Sequence, residues 1–201
     1  MVNTLSISET KVVLEGITIG GKSMVKHLET INQCKAILFI EDLINNNEKM
    51  SEWNLKSIHT LFLKDIDNTN SGKYRNENVL ISSAIHIPPK YFELNYLMQK
   101  LIAEYQKKWI KYHPVVRAAL LYREFVKIHT FIDGNGRMVR LLFNFELMKN
   151  SYTPIIIKNK QRANYYEVLD LAHTPMNYAP FIRLVSELVF ESKKLWLSVL
   201  D

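Results

Sequence analysis

Apolar side chains recur at helical spacing through most of this chain, and their intervals predict an all-α fold. The predicted helices cover residues of about 21–45, 51–66, 90–112, 114–129, 136–150, 160–173 and 177–199. The clearest breaks between them are the polar runs at 45–47 and 67–72. A chain of 201 residues is expected to fold as one compact helical bundle.

Two short β-prone runs depart from the helical spacing in the middle of the chain. Val79-Leu80-Ile81 and Ile85-His86-Ile87 are joined by Ser82-Ser83-Ala84, and two prolines end the second run. These runs predict one β-hairpin. The hairpin could be purely structural, or its free edge could hold an extended target segment by strand addition.

Composition narrows the classes of partner and compartment. The net charge of +6 comes from dispersed Lys and Arg residues without a DNA-reading motif, so nucleic acid is not expected as a partner. No apolar run is long enough to predict a membrane span, and the first residues do not resemble a secretory signal. Cys34 is the single cysteine, which excludes an internal disulfide. We expect a cytoplasmic protein that does not cross a membrane.

The chemistry of the chain is concentrated between two helical patterns, at residues 129–140. His129 continues the apolar face of the preceding helix and is a candidate base, because an imidazole titrates near neutral pH. The turn at 133–136 contains Gly134 and Gly136, and it feeds the start of the next helix. A glycine-rich turn at a helix N-terminus presents free backbone N–H groups to an anion. Arg137 and Arg140 lie in the first turn of that helix and can bind phosphate oxygens.

Other interpretations of the same residues are open. A lone histidine at a helix end is often a satisfied core or capping residue. The glycine turn could also be an ordinary connection between helices, with two solvated arginines. What separates the phosphate site from these alternatives is that the base, the carboxylate of Asp133, the turn and both arginines occur together within twelve residues.

The run His129-Thr130-Phe131-Ile132-Asp133-Gly134-Asn135-Gly136-Arg137-Met138-Val139-Arg140 resembles the Fic family signature His-x-Phe-x-(Asp/Glu)-Gly-Asn-Gly-Arg-x-x-Arg at every specified position. The resemblance implies transfer of AMP from ATP to a Ser, Thr or Tyr hydroxyl of a target protein, with release of pyrophosphate. It implies a Fic catalytic domain at 46–201 behind an N-terminal helical segment at 1–45. Family members often self-associate, so a homo-oligomer is also implied.

The resemblance assigns a role to each residue of the signature. His129 would be the general base and Asp133 would hold Mg²⁺ bridging the α- and β-phosphates. The amides of 134–136 and the Asn135 side chain would bind the α-phosphate. Arg137 would contact the β-phosphate and Arg140 the γ-phosphate. Gly136 favours AMP transfer, since the related Doc-like toxins, which phosphorylate, have lysine there; some members use other nucleotide-linked donors.

Two further segments resemble parts of the family. Gly72-Lys73-Tyr74-Arg75 and the predicted hairpin are similar to the family's flap, which implies a target-binding role for Ile85, His86 and Ile87. The helix that opens at residue 162 is similar to the segment bordering the adenine pocket, where Tyr165 or Tyr166 could stack on the purine. Aromatic residues at helical spacing are also common in cores, so this pair could belong to the core instead.

The N-terminal segment resembles the inhibitory helix of many Fic proteins, whose pattern is (Ser/Thr)-x-x-x-Glu-(Gly/Asn). Glu15-Gly16 matches its end, and Lys11 stands where Ser or Thr is usual. The resemblance implies that Glu15 pairs with Arg140 and blocks the γ-phosphate position. A second enzyme hypothesis is removal of AMP, with Glu15 orienting a water. A hypothesis of another class is a nucleotide-sensing interaction module with little turnover.

Overall fold

The computed structural model of the chain describes residues 5–81, 86–157, 162–173 and 177–200. The α-helices within those ranges are α1 (Ile7–Leu14), α2 (Met24–Asn45), α3 (Glu52–Leu63), α4 (Leu94–Ala103), α5 (Pro114–Ile128), α6 (Asn135–Lys149), α7 (Arg162–His173) and α8 (Ala179–Leu200). The all-α prediction is confirmed, and no strand occurs in the described part of the chain. None of the helices in these ranges has the length and apolar character needed to cross a bilayer.

Residues 1–73 group as one compact unit, in which α1 packs on α2 and α2 packs on α3. The apolar spacing did not predict α1, and only the resemblance to the inhibitory helix implied a helix before Glu15-Gly16. The signal for α1 is the pair Ser6 and Glu9: Ser6 Oγ accepts the Glu9 N–H at 3.2 Å, and Glu9 Oε2 accepts the Ser6 N–H at 2.6 Å. This reciprocal capping box satisfies two N–H groups at the helix start. Within the unit, the buried Asn32 amide on α2 donates to Phe62 O and Lys64 O at the end of α3.

Residues 74–201 form the second unit, built around the packing of α5 against α6. The α5 helix also contacts α4, α7 and α8, so it is the central element of this unit. Fully buried side chains fill the space between its elements: Met98 of α4, Ala118 and Phe125 of α5, Met138, Leu142 and Phe145 of α6. The 129–134 loop connects α5 to α6, so both of its ends are held by helices of this core.

The segment predicted as one helix at 90–112 has four parts. A 3-10 turn (Tyr91–Glu93) precedes α4, and a π turn (Glu104–Lys108) and a 3-10 turn (Trp109–Lys111) follow it. Leu101, Tyr105 and Trp109 are buried and succeed one another at steps of four, which would drift around a regular α-helix. The wider π turn absorbs that drift and keeps Tyr105 directed into the core.

The hairpin prediction is wrong for the described residues. Residues 79–81 and 86–87 form no strand, and Ile85 lies outside the described residues together with Ser82, Ser83 and Ala84. The backbone groups that flank the two runs bond to side chains. Glu77 O and Pro89 O both accept from the Arg75 guanidinium, at 2.7 and 2.5 Å, and Tyr91 N–H donates to Asn78 Oδ1 at 3.2 Å. We call residues 77–81 and 86–89 the bridging segment.

Candidate active site

His129 lies at the C-cap of α5 in a left-handed backbone conformation (φ 50°, ψ 62°). Its N–H donates to Phe125 O at 3.2 Å, which closes the last turn of the helix. Neither ring nitrogen bonds to another residue of the described ranges. Burial, and then the charges of Arg75 and His86, lower the pKa of His129 to about 4. The imidazole is therefore neutral at pH 7 and can accept a proton.

Asn135 holds the loop that follows His129 in shape. Its Oδ1 accepts the Phe131 N–H at 3.0 Å and its Nδ2 donates to Phe131 O at 2.7 Å. Phe131 is fully buried, with its ring near those of Phe125 and Tyr74 at centroid distances of 6.3 and 5.7 Å. Both polar atoms of the Asn135 side chain thus bond to the backbone of Phe131, so the side chain braces the loop.

The start of α6 has the features of an anion site. Gly134 is its N-cap, in the left-handed region (φ 80°), and the first helical bond runs from Met138 N–H to Gly134 O at 2.9 Å. The amides of 135–137 precede that bond and have no intrahelical acceptor. A Cβ built on Gly136 would lie 3.5 Å from Nη1 of Arg140, so this guanidinium lies over the glycine. Within the described part of 74–201, no carboxylate pairs with Arg140.

Asp133 is the one carboxylate of the loop. Its side chain is 65% exposed, and Oδ2 accepts from Nη2 of Arg137 at 2.9 Å. Across the described ranges, no group of three or more His, Cys, Asp or Glu side chains forms a protein-only metal cage. A single accessible carboxylate nevertheless fits Mg²⁺, which takes one or two carboxylates and completes its shell with phosphate oxygens and water. Asp133 is therefore suited to a metal that arrives with a polyphosphate.

Arg75 is a buried residue to which the sequence analysis gave no role of its own. Only 3% of it is exposed, and its Nε donates to His129 O at 2.9 Å while its backbone N–H donates to Thr130 O at 3.1 Å. His86 contacts the same helix end, with Nε2 at 2.8 Å from Lys127 O. In the sequence, Arg75 precedes three polar residues and then the apolar run that starts at Val79, a pattern that does not distinguish it from a solvated arginine.

The remaining predicted site residues lie in different surroundings. Tyr165 is buried, and its hydroxyl is 2.5 Å from the Tyr122 hydroxyl, so its side chain packs in the core. The side chain of Tyr166 lies outside the described residues. Ile87 is 71% exposed, whereas the His86 side chain contacts α5. Glu15 is the exposed C-cap residue of α1, and its side chain makes no hydrogen bond within the described part of 1–73.

A buried ionic cluster fixes the far end of α6. Glu146 is fully buried and accepts from Arg117 of α5 and from the hydroxyl of Tyr105 in the π turn. Asn150 Nδ2 also donates to Glu146 Oε1, at 2.9 Å. Burial raises the pKa of the Tyr105 hydroxyl. The negative charge of Glu146 and the hydrogen bond between Tyr105 and Glu146 raise it further. The cluster thereby ties α5, α6 and the π turn together without contributing to the loop chemistry.

Comparison with known proteins agrees with the signature. The Fic/DOC family model matches residues 49–147. Relatives named protein adenylyltransferase Fic from Drosophila ananassae and Aedes aegypti are each 32% identical to this chain, over 97% of it and 39% of the relative. The chain thus spans 39% of the length of these curated relatives.

Solved structures show the same fold. Fic-1 from C. elegans superimposes with a TM-score of 0.89 at 27% identity, over 98% of this chain and 59% of that chain. A Fic domain containing signaling protein from Bacteroides thetaiotaomicron gives a TM-score of 0.85 at 27% identity, over 96% of this chain and 80% of that chain. Since the signature loop, the helical fold and the family match all agree, the chain belongs to the Fic/DOC family.

Proposed function

We propose that this chain is a protein adenylyltransferase that transfers AMP from ATP to a Ser, Thr or Tyr hydroxyl of a target protein and releases pyrophosphate. The observation that carries the proposal is a neutral histidine, His129, one short loop away from a helix N-terminus where the Arg140 guanidinium lies over Gly136. The names of the curated relatives support the same reaction.

The residues perform the reaction as a displacement at the α-phosphorus. A ring nitrogen of His129 takes the proton of the target hydroxyl as its oxygen bonds to the α-phosphorus. The bond from that phosphorus to the oxygen bridging the α- and β-phosphates then breaks, and the electron pair leaves with pyrophosphate. The amides at the start of α6 stabilise the charge on the α-phosphate, and Arg137 and Arg140 stabilise the leaving group.

Mg²⁺ belongs to this proposal as a metal bound with the nucleotide. Asp133 would hold it, and when bound it would neutralise phosphate charge. The ion pair between Asp133 and Arg137 keeps both side chains close to the turn before the nucleotide binds. Replacing Asp133 with Asn should therefore weaken binding of ATP with Mg²⁺ more than binding of ATP without it, which calorimetry with and without the metal can compare.

The proposal also covers where the target protein docks, how Glu15 inhibits the enzyme and in which compartment the enzyme acts. The exposed side chains of Leu80 and Ile87 make the bridging segment a docking surface for the target. Glu15 restrains the enzyme by pairing with Arg140, and its exposed carboxylate supports this role. The single cysteine suits the reducing cytoplasm, which we take as the compartment.

The decisive experiment follows radioactive label from ATP onto protein. The chain is incubated with Mg²⁺ and ATP labelled at the α-phosphorus, and in parallel with ATP labelled at the γ-phosphorus. AMP transfer predicts label on protein from the α-labelled nucleotide alone. Label from the γ-position would instead indicate phosphorylation, and no label in the presence of tight ATP binding would indicate a nucleotide sensor.

A matched pair of variants assigns the base. His129→Asn changes the C-cap of α5, and His113→Asn changes its N-cap, where asparagine is also a good capping residue. We expect His129→Asn to lose labelling by about 10²-fold or more while calorimetry shows unchanged ATP affinity, because a base acts on proton transfer and not on binding. His113→Asn should label normally. Equal labelling by both variants would contradict the assignment.

A further inference from the structure

Arg75 binds more backbone groups of the site than any other side chain described in the preceding sections. Its Nε, Nη1 and Nη2 donate to His129 O, Glu77 O and Pro89 O at 2.9, 2.7 and 2.5 Å. Its own N–H donates to Thr130 O at 3.1 Å. Every acceptor is a backbone carbonyl, so this buried cation makes its contacts without a carboxylate in the described part of the chain. Burial lowers the pKa of the guanidinium, which nevertheless stays charged because an arginine pKa starts so high.

The carbonyls of His129 and Thr130 need such a donor. They follow the last turn of α5, where helical carbonyls have no intrahelical partner. His129 also adopts φ 50°, a conformation that is unfavourable for a residue with a side chain and persists only where its surroundings impose it. The Arg75 guanidinium donates to His129 O, and its backbone N–H donates to the next carbonyl, Thr130 O, so Arg75 fixes the direction in which the His129 ring leaves the backbone.

The other two contacts of Arg75 hold the bridging segment. Glu77 O lies at its start and Pro89 O at its end, so one guanidinium joins both ends to the His129 carbonyl. His86 adds a second attachment of the same segment, at Lys127 O in the last turn of α5. The Arg75 side chain thus connects the bridging segment, which is the proposed target surface, directly to His129, which is the proposed base.

We propose that Arg75 is the positioning residue of this site, which holds the catalytic base and the bridging segment in a fixed relation so that a docked hydroxyl meets His129. The proposal rests on the proposed function, since it assigns Arg75 a part in the AMP transfer. A misplaced reacting group costs large factors in rate, whereas affinity for ATP depends on the α6 start, which Arg75 does not contact. Arg75 therefore acts on turnover and not on nucleotide binding.

The test compares Arg75→Met with Arg123→Met. Arg123 is the matched control, because it is also buried (2% exposed), lies on α5 and donates Nε to a carbonyl, that of Ala172, away from the loop. Both variants lose a buried arginine. We expect Arg75→Met to reduce the labelling rate at saturating ATP by at least about tenfold relative to Arg123→Met, with ATP affinity the same in both.

Two readouts do not depend on activity. Hydrogen exchange over residues 76–81 and 86–90 should accelerate in Arg75→Met and not in Arg123→Met. The titration midpoint of the His129 ring, followed by NMR, should move upward in Arg75→Met because a nearby positive charge is lost. Arg75→Lys keeps the charge but lacks the planar fork, so it should accelerate exchange while leaving the midpoint in place. This variant also serves if Arg75→Met does not fold.

The outcomes separate the two proposals. A wild-type protein that binds ATP but labels nothing removes the proposed function and with it the catalytic part of this assignment, while the exchange and titration comparisons still decide whether Arg75 holds the two segments. Unchanged exchange in both Arg75 variants, or equal labelling by Arg75→Met and Arg123→Met, would overturn the positioning role. So would a loss of ATP affinity as large as the loss of rate, since Arg75 would then act on binding.

Discussion

The side chain of Asn135 binds both polar groups of the Phe131 backbone. The distance from Phe131 N to Asn135 Oδ1 is 3.0 Å, and that from Asn135 Nδ2 to Phe131 O is 2.7 Å. The same helix repeats this arrangement near its other end. Asn144 Oδ1 accepts the Ile155 N–H at 2.9 Å, and its Nδ2 donates to Ile155 O at 3.1 Å. Two asparagines of α6 therefore each fasten a neighbouring segment, and only the first of these segments contains the signature loop.

This pair provides a prediction with an internal control. Asn135→Ala and Asn144→Ala each leave an N–H and a C=O without their side-chain partner, so each should lower the free energy of unfolding by about 1–3 kcal/mol. Only Asn135→Ala should also weaken ATP binding, because the loop it braces leads into the anion site. Urea unfolding and calorimetry test the two parts. Equal ATP affinity in both variants would show that the loop keeps its shape without Asn135.

The lowered pKa of His129 predicts how stability changes with pH. In the unfolded chain the ring takes a proton near pH 6.5, while in the folded chain it does so near pH 4. Between these values the unfolded state binds more protons, so the free energy of unfolding falls as the pH drops from about 6.5 to 4, by about 2–3 kcal/mol from this group. Below pH 4 the contribution stays constant, and above pH 6.5 it is fully present.

The measurement is urea unfolding at a series of pH values in wild type and His129→Asn. The variant should lack this part of the pH dependence, so the two curves should converge or cross as the pH falls. For the proposed AMP transfer, the fall of kcat/KM on the acid side reports groups of the free protein, so its midpoint should lie near pH 4. The midpoint for kcat should lie higher, because the negative charge of bound nucleotide raises the pKa of a nearby histidine. Parallel stability curves would exclude a lowered His129 pKa.

The sequence predicted the helices on both sides of the site because their apolar faces are long and regular. It also placed His129 at the end of a helix and Gly134 in a turn before the next one, both of which are confirmed. These features depend on local spacing and on the conformational freedom of glycine, so they can be inferred without knowledge of distant contacts.

The residues that could not be predicted are those whose role depends on a distant partner. Arg75 contacts His129 across 54 positions, and Tyr105 contacts Glu146 across 41. The hairpin prediction failed for a related reason. A β-prone run forms a strand only where a second strand accepts its hydrogen bonds, and here the residues that flank the two runs are held by Arg75, which donates to Glu77 O and Pro89 O. Local propensity contains no information about such tertiary contacts.

Gly136 should combine a gain in stability with a loss of function. It lies in the first turn of α6 with a Cβ position 3.5 Å from Nη1 of Arg140, an ordinary contact distance. Gly136→Ala should therefore stabilise the fold by up to about 1 kcal/mol, since alanine favours a helix over glycine. The added methyl group should weaken ATP binding, because it occupies the surface where a phosphate approaches the amides.

The comparison variant is Gly134→Ala. Gly134 has φ 80°, so alanine there should destabilise the fold by about 1 kcal/mol or more. Thermal unfolding should show a higher melting temperature for Gly136→Ala and a lower one for Gly134→Ala. Calorimetry should show weaker ATP binding in both variants. If Gly136→Ala binds ATP as wild type does, the phosphate does not approach this part of the helix.

Glu15 should restrain turnover without supporting the fold. Its exposed carboxylate follows the last turn of α1, where a negative charge opposes the helix dipole. Glu15→Gln should therefore leave the free energy of unfolding unchanged or raise it by a few tenths of a kcal/mol. If the carboxylate competes with the γ-phosphate for Arg140, the same substitution should increase self-labelling from α-labelled ATP several-fold. Glu41→Gln, on α2 of the same compact unit, is the control and should label as wild type does.

A double-variant cycle tests whether Glu15 acts through Arg140. Arg140→Gln alone should weaken ATP binding, because a γ-phosphate contact is lost. In the Arg140→Gln background, Glu15→Gln should no longer raise labelling, since the group it competes for is absent. An increase of the same size in both backgrounds would place the action of Glu15 elsewhere. Equal labelling by Glu15→Gln and Glu41→Gln in the parent chain would remove the inhibitory role altogether.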